Sequence, residues 1–240
     1  MNRAPLLFAC AAALGLAAMA PAQAQQSPEQ RLAAYRERVE RLEDQVAIET
    51  LQATYGYYFD KGLWNEAADL FARDGRFEYG QRGVYVGQDR IRRALLLFGP
   101  RGLAPAHLNN HMQLQNVIVV APDGRTATGR WQGMVMLSEP GQNGVWGVGI
   151  YENEYARVGN KWLISKLHFY PTALTDYDQG WMKSQLPMEG MSALFPPDRP
   201  PTEVYRTFPS GYTPPFSFVH PVTGQPIPVQ QPADDIARPR

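Results

Sequence analysis

The chain has 240 residues, with 23 Lys plus Arg against 23 Asp plus Glu, so no nucleic-acid footprint and no anionic-membrane patch is indicated. Its one cysteine, Cys10, lies in a segment expected to be removed, which leaves no disulfide, thiolate metal site or cysteine nucleophile in the mature chain. At this length and 44% hydrophobic residues, one domain with a sizeable core and extensions is expected.

Met1-Asn2-Arg3 is a short positive start, residues 6–20 are apolar, and Ala22-Gln23-Ala24 is a small-x-small cleavage pattern. Residues 1–24 therefore read as a signal peptide cleaved near Ala24, with a periplasmic or secreted product. The apolar run is too short and weak for a stable membrane span.

Ser27-Pro28-Glu29-Gln30 is a capping box with proline at the first helical position. Leu32, Tyr35, Val39, Leu42 and Val46 follow as a narrow apolar stripe, and residues 25–43 read as a helical extension. That stripe either meets a partner subunit, giving a homodimer or larger homo-oligomer, or belongs to a solvated helix folded on its own domain. The pattern shifts at Val46 to Ile48, Leu51, Tyr55, Tyr58 and Phe59, which predicts two consecutive helical pieces or a bend. Gly62 is placed to close the helix with a positive φ, and Leu63, Ala67, Leu70 and Phe71 start a second apolar stripe.

Asp60 sits at the corner between these helices. The carbonyl end of a helix carries partial negative charge, so a carboxylate there is electrically strained and suited to act as a base if aromatic neighbours also desolvate it. The plainer reading is a solvated turn residue, because Asp60 projects to the side of the apolar stripe.

The period then changes to that of strands. Residues 75–80 alternate, 84–86 return, and 87–98 form a third helix stopped by Gly99-Pro100. Longer strands are expected over 107–120, 126–138, 145–158 and 161–170, separated by turns such as Ala121-Pro122-Asp123-Gly124 and Gly159-Asn160. Three helices followed by an antiparallel meander make an α+β domain over residues 44–170, and a strongly curved sheet wrapped on the helices would enclose a pocket.

Several stretches carry a resemblance: Tyr55-x-x-Tyr58-Phe59-Asp60-x-Gly62-x-Trp64, Ala67-Ala68-Asp69-Leu70-Phe71-Ala72-Arg73-Asp74-Gly75, and Gly87-x-x-x-Ile91-Arg92. The His111 strand, Asp123-Gly124-Arg125-Thr126-Ala127 and Gly159-Asn160-Lys161-Trp162-Leu163-Ile164 complete it. In this order the chain resembles the SnoaL-like branch of the nuclear transport factor 2-like superfamily. The resemblance implies a cone-shaped fold around a largely apolar cavity, with members that include scytalone dehydratase, ketosteroid isomerase and proteins of no known reaction. It implies cofactor-free acid–base chemistry on a small hydrophobic hydroxy-carbonyl compound, with Asp60, His111 and Tyr79 as catalytic candidates. Two positions depart from the dehydratase pattern: Phe59 stands for a tyrosine and Trp131 falls near a second histidine. A non-catalytic carrier or assembly module of the same fold is the competing expectation.

Each candidate also has a structural reading. On alternation His111 shares a face with Gln113 and Gln115, which suits a polar-lined pocket or solvent, while a tyrosine such as Tyr79 in a half-buried strand is most often packing. Tyr55, Phe59, Trp131, Met134, Trp146 and Tyr151 are candidates for an apolar ligand site and equally for core. His107 reads as a loop residue, and His168, alternating with Trp162, Ile164 and Tyr170, as a packed one. No metal-ligand spacing is present. Residues 171–240 are rich in proline and aromatics, and read as an extended arm lying across the domain or a neighbour, with its last residues loose.

Overall fold

A computed structural model describes residues 26–142 and 144–231. The expected signal peptide and the last nine residues lie outside the described residues. The chain divides into two units, Met1–Arg38 and Val39–Arg240.

In the first unit the capping box is formed: Ser27 Oγ accepts the Gln30 amide at 3.2 Å, and Gln30 Oε1 accepts the Ser27 amide at 2.9 Å. It starts α1, Pro28–Asp60, which runs as one helix where two pieces or a bend were expected. No Gly or Pro interrupts residues 29–55, so the shift in the apolar stripe marks a change in surroundings and not a break. Leu32, Tyr35, Val39, Leu42 and Val46 are all at least half exposed, whereas Ile48, Gln52, Tyr55 and Phe59 are buried.

In the second unit α1 ends at Gly62, whose φ of 64° matches the expected closure. The Gly62 and Leu63 amides bond back to Phe59 O and Tyr58 O at 3.1 and 2.9 Å. A short α2, Trp64–Asp69, leads into β1, Phe71–Tyr79, which begins four residues earlier than expected. Next come β2, Val84–Val86, α3, Gln88–Ala94, and a 3₁₀ turn, Leu95–Phe98, that occupies the end of the expected third helix. The meander follows as β3, Leu108–Val120, β4, Thr126–Ser138, β5, Val145–Val158, and β6, Lys161–Asp176.

The six strands form one curved sheet in the order β2-β1-β6-β5-β4-β3, antiparallel except where β1 pairs with β6. The long helix packs on this sheet through Ile48, Tyr55 and Phe59, which join Phe71, Phe77, Trp131, Tyr151, Tyr155 and Phe169 in one core. A polar knot lies within that contact: Gln52, fully buried, accepts Tyr155 Oη at 2.7 Å and Asn153 Nδ2 at 3.0 Å and donates to Gln113 Oε1 at 2.6 Å. Gln52 and Asn153 are thereby satisfied, as burial of amides requires, while Gln113 Nε2 is left without a partner.

Two irregularities reset which residues face the core. Between Gln113 and Asn116 three steps along β3 oppose two along β4, so Leu114–Gln115 hold an extra residue. His111 and Gln113 therefore share the inner face with Asn116 and Ile118, and Gln115 leaves the face that simple alternation gave it. In β6 the pairs Tyr155↔Ile164 and Glu154↔Lys166 leave Ser165 extra. Leu167 and Phe169 consequently take over the core face from Ile164, and His168 turns away from it with Tyr170. A third extra residue, Thr172, follows Pro171, which has no N–H for the ladder, and β6 continues past it to Asp176.

Beyond β6 the described chain has no helix or strand, only isolated bridges. It is tied to the sheet at several points, among them the Val84 amide to Arg199 O at 3.0 Å and the Thr202 amide to Glu78 Oε1 at 2.7 Å.

Candidate functional site

The carbonyl end of α1 delivers Phe59 and Asp60 to the inner face of β3. There Asp60 Oδ1 accepts the His111 backbone amide at 2.7 Å, and the same oxygen stands 3.5 Å from His111 Nδ1. One backbone bond thus parks the carboxylate beside the imidazole. Asn109 Nδ2 donates to Phe59 O at 3.1 Å, which satisfies one terminal carbonyl of the helix and fixes the same corner. The ring of Phe59 meets His111 edge-on, centroids 4.6 Å apart.

His111 is 3% exposed, and neither of its ring nitrogens has a hydrogen-bond partner. Buried polar atoms are rarely left so, and an orphaned imidazole at a cavity wall is suited to receive a polar atom from a ligand. The cavity in question has a volume of about 620 Å³ and is lined by His111 and Tyr79 together with Phe98, Val135 and Leu137. Asp60 is not in its wall and lies behind the ring.

Tyr79 packs against Phe98 and Phe169, each at 4.8 Å. Burial pushes its hydroxyl pKa up, the Arg82 guanidinium pulls it down and Glu189 pushes it up again, so the phenol stays protonated and is a donor. Of the three catalytic candidates, His111 and Tyr79 thus meet at one cavity and Asp60 stands at the back of the histidine.

The expected apolar ligand site is placed differently. Tyr55, Phe59, Trp131 and Tyr151 are 2–3% exposed members of the core and do not line the cavity. Met134 lies on the opposite side of β4 from the lining residues Val135 and Leu137, and Trp146 packs against Trp181 at 5.5 Å. The apolar wall comes instead from Leu97, Phe98, Leu137, Leu174 and Leu186. Arg82, Asn109 and the 186–189 stretch also line the cavity; nothing local in the sequence marks the last two, and the only signal for Arg82 is its place between Gly80 and Gly83. His107 lines the cavity from the loop before β3. Among the described residues no group of three or more His, Cys, Asp and Glu could hold a metal ion, and no helix is long and apolar enough to cross a membrane.

Residues 40–168 match the SnoaL-like domain family. No protein of curated function matches the chain. Among solved structures it is similar to a proposed scytalone dehydratase from Novosphingobium aromaticivorans, 22% identical with a TM-score of 0.51 over 58% of this chain and 91% of that one. LinA is 18% identical with a TM-score of 0.49, covering 58% and 93%. A protein from Catenulispora acidiphila in complex with S-DNPA is 20% identical with a TM-score of 0.45, covering 52% and 91%. At these identities the structural likeness speaks to fold, while the domain match spans more than half of the chain. The protein belongs to the SnoaL-like domain family.

Proposed function

We propose that this protein is a cofactor-independent lyase or isomerase acting on a small hydrophobic hydroxy-carbonyl compound, with His111 as its acid–base group. The observation that carries the reading is the buried, unpartnered His111 imidazole at the wall of a 620 Å³ cavity, with a carboxylate 3.5 Å behind it. The neutral ring takes a proton from the carbon next to the carbonyl, and Tyr79 donates a hydrogen bond to the carbonyl oxygen as enolate charge develops. Asp60 stabilises the imidazolium so formed and holds its orientation, a positioning role. The imidazolium then returns the proton, either to a leaving hydroxyl, which departs as water, or to a different carbon.

The test is solvent-deuterium exchange at the α-carbon across a panel of cyclic hydroxy ketones. His111→Gln is expected to lower exchange by about 10²- to 10⁴-fold with ligand affinity retained. Asp60→Asn is expected to cost about tenfold and to move the pH profile, which a purely structural role would not do. Ketones that bind the wild type without exchange would favour a carrier, a reading supported by Trp131, which lies in the core where the dehydratase pattern has a histidine; the cavity's other histidine, His107, comes from the loop before β3.

Export and self-association belong to the same proposal, supported by the N-terminal pattern and by the exposed Val39, Leu42 and Val46. The chain recovered from the periplasm of an expressing cell should begin near Gln25 and scatter light as a dimer or larger. A cytoplasmic monomer with an intact N-terminus would sink both points.

A further inference from the structure

One charged group of the cavity plays no part in the proton transfers above. Arg82 lies in the tight connection between β1 and β2, where Gly80 and Gly83 both have positive φ and the Arg82 amide bonds Tyr79 O at 3.1 Å. Its side chain is 10% exposed and its guanidinium sits 4.9 Å over the Phe98 ring. Among the described lining residues it is the one Lys or Arg. Its charge also reaches the Tyr79 hydroxyl.

The guanidinium is paired with the carboxylate of Glu189, whose side chain is 72% exposed and stands on the stretch of chain after β6 that carries no helix or strand. Water screens such a carboxylate, so the pair returns little of what burying the arginine costs. A buried guanidinium with a weak, replaceable partner at a cavity wall is a receptor for a better one. Its planar fork matches a carboxylate in two parallel hydrogen bonds.

We propose that Arg82 recognises a carboxylate on the ligand of this cavity, and that Glu189 occupies the guanidinium as an intramolecular stand-in which the ligand displaces. This names the substrate class of the site described above, a hydrophobic acid, and rests on the reading that the cavity holds a small molecule. The rival is a latch only, in which the pair fastens residues 186–189 and ligand charge is irrelevant.

The probes are 2-naphthoate and its neutral counterpart 2-naphthamide, titrated calorimetrically into the chain from residue 25 onward. The wild type should prefer the acid, and Glu189→Gln should bind it about tenfold tighter while leaving the amide within twofold, since one charge-assisted contact is being freed. Arg82→Gln should lose the preference for the acid, and Arg82→Lys, which keeps the charge without the fork, should keep part of it. Thermal melts confirm that each variant is folded; Glu189 is on the surface, so its variant carries the test even if the arginine variants unfold. Equal binding of acid and amide, unchanged by Glu189→Gln, overturns the carboxylate proposal and leaves the cavity reading standing. If neither probe binds the wild type or Glu189→Gln, the cavity reading itself fails and takes this one with it.

Discussion

Acidification from pH 6.5 to about 3 should destabilise the wild-type protein by roughly 2–4 kcal/mol, and His168→Gln should abolish most of that loss. His168 is 1% exposed and stacked on Tyr170 with ring centroids 3.6 Å apart. Burial, with Lys166 adding repulsion, lowers its pKa from 6.5 to about 3. A group whose folded pKa is depressed binds its proton later in the folded state than in the unfolded one. Its stabilising contribution is therefore complete above pH 6.5 and is lost as the pH falls through the window to about 3. Glu78, whose carboxylate is 3.4 Å from His168 Nδ1, responds in the opposite sense. Burial raises its pKa although two hydrogen bonds from Thr202 lower it, so its protonation on acidification favours the fold and offsets part of the loss. Urea unfolding at a series of pH values measures the balance. Wild type and His168→Gln losing stability in parallel below pH 6.5 would show that the acid sensitivity lies elsewhere.

Phe59→Ala should cost about 3–5 kcal/mol of folding stability, the range for emptying a large aromatic site in a core. Its ring lies 4.9 Å from Phe98, 5.2 Å from Trp64 and 5.7 Å from Tyr55, with His111 closing the fourth side. These neighbours belong to α1, α2, the 3₁₀ turn and β3, so no single element can relax into the void without breaking another contact. Phe59→Leu fills most of the volume and should cost less than half as much. Denaturant midpoints with unchanged slope give both values. A loss below 1 kcal/mol for the alanine variant would mean that the corner is loosely packed, and that His111 is not held by it.

How much of this was legible from residues alone depends on whether the signal was local. The capping box rests on two side chains three residues apart, and the closure at Gly62 and the turns at Gly124 and Gly159 each rest on one glycine's backbone freedom; the structure bears them out. The core periodicity of α1 from Ile48 to Phe59 was likewise visible. Faces of strands were not, because a period of two survives only until an extra residue enters. Ser165 and Leu114–Gln115 are ordinary residues whose bulges depend on the partner strand, and they reassigned His168 and Gln115. Cavity against core was equally hidden. Trp131 and Tyr151 are large and mostly apolar, as Phe98 and Leu174 are, and which of them face empty space is decided by how the strands and the 3₁₀ turn come together, not by residue type. Asp60 and His111, 51 residues apart, were joined by family resemblance and not by anything in their own neighbourhoods.

The parallel pairing of β1 with β6 fixes when this molecule can fold. β6 is the last strand made, yet it sits in the middle of the sheet, between β1 and β5. Until Asp176 has emerged, β1 has only the three-residue β2 beside it, and no strand joins that pair to the β3–β5 meander, which α1 meets directly through Gln52 and Asp60. Pairing strands some 90 residues apart requires a large loop to close before the contacts that reward it exist. During synthesis, at about 5–20 residues per second, the growing chain is thus an unfinished fold for many seconds. Completion of the sheet is therefore a late step, taken when the final strand inserts between β1 and β5.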